Sequence, residues 1–178
     1  GRACKRAGLQ IDLCGIAKGH AVDCMVAVLQ HYDIRHALAA LDGELRALGS
    51  QADGQPWAVA LESPEPGRRA VHGVIELQDL AVATSGDYRR FVLVGGARLA
   101  HTMDGRRAAP VRNDVASITV LARTCMDADA WATALLVAGP EAPSEEDVTL
   151  SHFGTPLSHF GTPPETVAFP SQDGTALR

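Results

Sequence analysis

The stretch VASITVLARTCMDADAWATALLVAG spans Val115 to Gly139. Its first eight residues are rich in β-branched side chains and predict a strand. From Thr124 onward small and apolar residues predict a helix, which Gly139-Pro140 stops. Such a helix is normally buried. Yet Asp129 and Thr133 stand four residues apart, on one face and one turn above the other. A buried helix that aims a carboxylate and a hydroxyl at one place is either bonding its own backbone or facing a site.

Upstream, GLQIDLCGIAKGHAVDCMVAVLQHY (Gly8 to Tyr32) predicts a short strand at Leu9–Leu13, a glycine turn and a helix from about Ala17 to Tyr32. Ala17, Ala21, Met25, Val28, Leu29 and Tyr32 are read as that helix's apolar face. HALAALDGELRALG predicts two short strands broken at Asp42-Gly43. WAVALES and GVIELQ predict two more, and RFVLVGGARLAHTM predicts a hairpin turning at Gly95-Gly96. The order is strand, helix, many antiparallel strands, helix. It indicates an α+β domain, a mostly antiparallel sheet packed with two main helices, over residues 1–140. Beyond Pro140 the composition changes. SHFGTP occurs twice, at Ser151–Pro156 and Ser158–Pro163, and the remainder lacks periodicity. Residues 141–178 are read as a disordered tail, with His152 and His159 belonging to the duplication rather than to a metal site.

A chain of 178 residues suits one domain. Hydrophobic residues are 46% and charged residues 21%, as in ordinary globular proteins. Aromatics are only 4%, so the core must rest on Ala, Val and Leu. The formal net charge is −5, with no basic run longer than a pair, which argues against nucleic acid as a partner. Cys4, Cys14, Cys24 and Cys125 form no CxxC pair, so zinc is not expected. Cys14 and Cys24 are read as small core residues.

Four segments can carry chemistry. In DLCGIAKGHAVD, a glycine turn leads into a helix with Lys18 in its first turn. Free N–H groups and the helix dipole favour an anion there, and Lys18 is unfavourable unless an anion compensates it. Taken alone, the segment reads first as a structural turn with a surface lysine. In ATSGDYRRF, Ser85 and Gly86 offer a hydroxyl and a pliable backbone, and Tyr88 could stack on a planar ring. In LAHTMDGRRAAP, His101 precedes Asp104 by three residues; a histidine beside a carboxylate is a candidate general base. In the last helix, Asp129 and Thr133 are hard oxygen ligands that suit Mg²⁺ rather than zinc.

Together, and in order, these segments resemble the ApbE family of FAD:protein FMN transferases. IDLCGIAKGHAVD is similar to that family's Asp-Leu-x-Gly-Ile-Ala-Lys-Gly-x-Ala-Val-Asp signature, and GELRALG to its Gly-Gly-Asp/Glu segment. WAVALESP, ATSGDY, the His-x-x-Asp segment and SITVLA…CMDADAWATALLVAGP follow in register. The resemblance covers roughly Leu9 to Pro140. It implies Mg²⁺-dependent transfer of FMN from FAD onto a Thr or Ser hydroxyl of an acceptor flavoprotein, with release of AMP. It also leaves room for FAD hydrolysis to FMN and AMP, or for an inactive flavin-binding fragment. It implies Asp129, Thr133 and a backbone carbonyl at Gly15 as metal ligands, and Lys18 and Gly15 beside the cofactor's phosphates. Ser85, Gly86 and Tyr88 would line the flavin pocket, and His101 would be the base. It implies a place in the bacterial periplasm or at the inner membrane. HTMDGRRAAP departs from the family's His-x-x-Asp-Pro-Arg-Thr-Gly, so a looser loop is expected after His101. The family's N-terminal portion is expected to be missing.

Overall fold

The computed structural model describes residues 4, 6–8, 10–64, 67–113 and 115–139, and the backbone of 165–170. Two helices, α1 (Ala17–His31) and α2 (Cys125–Ala138), pack on each other and on one face of a five-stranded sheet. The sheet runs β1 (Ala37–Leu41), β2 (Glu44–Leu48), β5 (Ala81–Gly86), β10 (Val115–Ala122), β11 (Glu165–Pro170), and each adjacent pair is antiparallel. Three two-stranded units complete the described fold: β3 (Trp57–Glu62) with β4 (Val71–Leu77), β6 (Phe91–Val94) with β7 (Ala97–Ala100), and β8 (Met103–Asp104) with β9 (Ala109–Pro110).

Strand alternation sorts the core into layers. Ala81 and Ala83 of β5 and Ile118 and Val120 of β10 are buried against the helices' Val22, Val26, Ala128, Ala132 and Leu136. Val82, between the two alanines, points the other way and packs with Ala47, Leu77, Trp57 and Ile75. The β3–β4 hairpin therefore covers the face that the helices do not. The sheet's helix-facing positions are small because two helices must lie close to it.

Both predicted glycine turns form. Asp42 and Gly43 have φ of 49° and 108°, and Gly95 and Gly96 have 57° and 81°. These paired positive values are what a two-residue hairpin turn requires. Helix α2 is closed at both ends. The Thr124 hydroxyl accepts from Asp127 N at 3.1 Å, while Asn113 Nδ2 donates to Leu136 O at 2.7 Å. Gly139, at φ 70°, then turns the chain out of the helix.

Several expectations need correction. Gln10–Leu13 forms no strand. In α1 the buried line is Gly19, Val22 and Val26, whereas Met25, Val28 and Tyr32 are exposed. Cys14 and Cys24 are exposed, and only Cys125 of the four is buried. Ser85 and Gly86, read as a pliable segment, close a strand, Ala81–Gly86, at the sheet's centre. Glu165–Pro170, placed by the sequence in a tail, pairs along β10. Its Thr-Val-Ala-Phe run has the β-branched and aromatic content that a strand favours. The SHFGTP duplication, with His152 and His159, lies outside the described residues.

Candidate active site

The site is built where α1 and α2 cross. Gly19 permits the crossing: a Cβ there would stand 2.2 Å from Cys125 O and 2.8 Å from Asp129 Cβ. Asp129, 2% exposed, uses this proximity and accepts from Gly19 N through Oδ2 at 2.9 Å. One turn on, Thr133 Oγ1 lies 3.1 Å from Ser85 Oγ. Ser85 reaches α2 because it shares the helix-facing side of β5 with Ala81 and Ala83. Gly15, in the turn before α1, presses on the same threonine, since a Cβ there would come 2.8 Å from Thr133 Cγ2 and 2.9 Å from Oγ1. Four residues from three distant segments thus meet at Asp129, Thr133, Ser85 and Gly15.

Lys18 joins them from the first turn of α1. Its Nζ is paired with Glu44 Oε1 at the start of β2. Glu44 is 2% exposed, and its Oε2 is buried with no hydrogen-bond partner among the described residues. Burial pushes its carboxyl above the usual range; the Lys18 bond and charge pull it down, and the nearby Asp129 charge adds to the rise. A second tie lies behind this pair. Asp23 accepts from Cys125 N and Met126 N, both at 2.9 Å, and from Arg46 Nη1 at 2.5 Å. A carboxylate on α1 therefore caps the start of α2. It fixes the height at which Asp129 and Thr133 stand.

The sequence reading assigned no role to Gly19, Asp23, Glu44 or Arg46. One signal was available. ELRAL carries Glu44 and Arg46 two apart, on the same side as the core residue Leu48. Two charges on the buried side of a short strand require partners there.

Gly86 and Tyr88 sit beside each other, since a Cβ at Gly86 would meet Tyr88 Cδ1 at 3.0 Å and Ala116 O at 2.8 Å. The Tyr88 hydroxyl donates to Glu62 Oε2 at 3.2 Å, and Arg89 pairs with the same carboxylate. Burial, then the Glu62 charge, raises the Tyr88 hydroxyl's pKa. His101 follows the β6–β7 hairpin and is exposed. Its Nδ1 lies 2.9 Å from Arg90 O. A carbonyl only accepts, so Nδ1 carries the hydrogen, and in the neutral ring the lone pair is on Nε2. Among the described residues the expected His101–Asp104 partnership does not form; His101 bonds Arg90 O instead. Asp104 bonds Arg106 N at 2.9 Å and pairs with the side chains of Arg106 and Arg107. These contacts hold its carboxyl below the usual range. The GRR departure in the sequence thus takes up the aspartate.

Among the described residues no group of three His, Cys, Asp or Glu gathers as a metal cluster. The donor set at α2 is of another kind: one carboxylate, two hydroxyls and the backbone at Gly15. These are hard oxygens, and Mg²⁺ takes few protein ligands, so the set fits that ion.

This geometry can be set beside known proteins. The model of the ApbE family matches residues 2–146. The chain belongs to the ApbE family. The FAD:protein FMN transferase of Vibrio cholerae is 43% identical over 133 residues, which are 75% of this chain and 40% of that protein. That of Escherichia coli is 34% identical over 137 residues, 77% of this chain and 39% of the relative. Among solved structures, the flavin transferase ApbE of Vibrio cholerae superimposes with a TM-score of 0.70 at 34% identity, covering 92% of this chain and 48% of that one. The ApbE protein of Thermotoga maritima gives 0.71 at 29%, covering 92% and 52%. The chain therefore spans about 40% of the length of the curated relatives it matches.

Proposed function

We propose that this ApbE-family chain takes part in transferring FMN from FAD to a Thr or Ser hydroxyl of an acceptor flavoprotein, with AMP as the second product. The observation that carries the reading is the meeting of Gly15, Ser85, Asp129 and Thr133 beside the Lys18-bearing start of α1. An all-oxygen donor set next to a lysine and a helix N-terminus suits a pyrophosphate held with a divalent cation. Asp129, Thr133 and the Gly15 carbonyl would hold Mg²⁺. When bound, it supplies positive charge that offsets the phosphates and the leaving AMP.

The chain's own residues account for the rest. If Thr133 donates to Ser85, both Thr133 lone pairs are left for a cation. Gly19 N–H holds one Asp129 oxygen and leaves the other free to ligate. The His101 Nε2 would take the acceptor hydroxyl's proton. The acceptor oxygen then forms its bond to the FMN phosphorus as the phosphorus–oxygen bond to AMP breaks. The fixed tautomer supports this role, because Arg90 O holds the ring with the basic nitrogen outward. The family's setting would place the reaction in the bacterial periplasm or at the inner membrane.

The test is incubation with FAD, Mg²⁺ and a threonine-containing acceptor. AMP release with a flavin-labelled acceptor is the expected result. AMP with free FMN only would make the chain a pyrophosphatase. No AMP under any condition would refute the enzymatic reading for this chain.

A further inference from the structure

Glu44 has a contact pattern that a simple core ion pair does not explain. A pair kept for stability has its remaining lone pairs satisfied. Here Oε1 holds Lys18, yet Oε2 is buried with no hydrogen-bond partner among the described residues. The side chain is enclosed, with 2% of the residue exposed. Asp129 stands beside this pair, because it accepts from the N–H of Gly19, the residue after Lys18, at 2.9 Å. The neighbouring Asp23 and Arg46 are paired with each other and cancel. With both carboxylates ionised, the local count is Glu44 and Asp129, −2, against Lys18, +1, a net of −1.

We propose that Glu44 makes pyrophosphate capture at this site conditional on a divalent cation, by occupying the Lys18 ammonium and keeping the site net negative until the cation arrives. The inference rests on the phosphate-site reading above. An anion approaching Lys18 without a cation meets an ammonium already bonded to a buried carboxylate, with a second carboxylate beside it. A divalent cation beside Asp129 turns the local charge from −1 to +1 and reverses that repulsion. Glu44 is anchored at the first residue of β2 and enclosed, which holds its carboxylate beside the lysine.

The experiment is a calorimetric titration with ADP, a probe carrying the pyrophosphate without the flavin, in Mg²⁺ and in excess EDTA. The parent should bind in Mg²⁺ and much more weakly in EDTA. Glu44→Gln keeps the shape and removes the charge. Its metal-free binding should tighten by on the order of tenfold, the size of a one-unit like-charge effect, and its Mg²⁺ enhancement should shrink. Glu44→Asp keeps the charge and should keep the parent's metal dependence. Thermal melts check folding, and Glu44→Leu, suited to a buried position, replaces the glutamine variant if that one does not fold. Metal-free binding that is unchanged or weaker in the charge-removing variant overturns the proposal, as does an aspartate variant that behaves like the neutral one. A folded parent that binds no ADP even with Mg²⁺ overturns the phosphate-site reading itself, an outcome distinct from the other two.

Discussion

Gly19→Ala tests whether the α1–α2 crossing builds the site. The added Cβ would lie 2.2 Å from Cys125 O and 2.6 Å from Cys125 C. Both are backbone atoms, so no rotamer change relieves the clash. Ordinary contact starts at 3.4 Å, which leaves 3.4 − 2.2 = 1.2 Å to be found by moving the helices apart. The Gly19 N–H to Asp129 Oδ2 bond, now 2.9 Å, cannot survive that movement. Overpacking costs about 1–3 kcal/mol, and losing a bond to a buried carboxylate about 1.5–3 kcal/mol. Alanine's better helix propensity returns about 1 kcal/mol. The net loss is roughly 1.5–5 kcal/mol, or a fall in Tm of roughly 3–20 °C for a chain of this size. Circular dichroism melts read the stability, and AMP release from FAD reads the site; both should fall. A Tm within about 2 °C of the parent would falsify the claim that this contact is tight, because even the smallest estimate predicts more.

Asp129→Asn keeps an acceptor for Gly19 N–H but removes the charge, so FAD turnover should drop on the order of 100-fold while the melt barely shifts; full activity at limiting Mg²⁺ would sink the cation assignment. His101→Ala should slow transfer to a threonine acceptor by about 10²–10⁴-fold with little change in FAD affinity; a matching collapse of affinity would make His101 a wall of the pocket. Burial, with Asp23 next, pushes the Cys125 thiol from 9.0 up to about 12, so iodoacetamide at pH 8 should label Cys4, Cys14 and Cys24 and spare Cys125 in the folded protein. The folded thiol keeps its proton where the unfolded one has lost it, so this group's contribution should fall as pH rises from about 9 toward about 12; flat stability across that window would count against it.

The strands with clear alternation and clear turns were legible. Asp42-Gly43 and Gly95-Gly96 need positive φ, and the chain supplies it there. The strand at Ala81–Gly86 was not. AVATSG mixes small apolar and small polar residues, and its small size is the requirement, because α2 lies against it. Most site residues were legible only as types. Asp129 and Thr133 share a face by spacing, but which atoms that face would meet depends on a β5 serine 48 residues earlier in the chain. His101 was legible as a base candidate, but its partner was not. Asp104 is nearer in sequence, yet Arg106 and Arg107 hold it.

The error in α1 has a physical cause that also explains the site. Counting apolar residues at helical spacing selects Met25, Val28, Leu29 and Tyr32, the large ones. The face that packs on α2 and the sheet is Gly19, Val22 and Val26, with Asp23 beside it. Hydrophobic area did not choose that face; close approach did. A large side chain at position 19 would hold α2 away. Asp23 would then no longer reach the α2 amides, nor would Gly19 N–H reach Asp129. The residues that look least like a core, a glycine and an aspartate, fix the distance between the helices. That distance sets Asp129 and Thr133 against Gly15 and Ser85. In this chain the helix contact and the candidate site are the same structure, so changes at Gly19 or Asp23 should alter stability and cation-dependent function together.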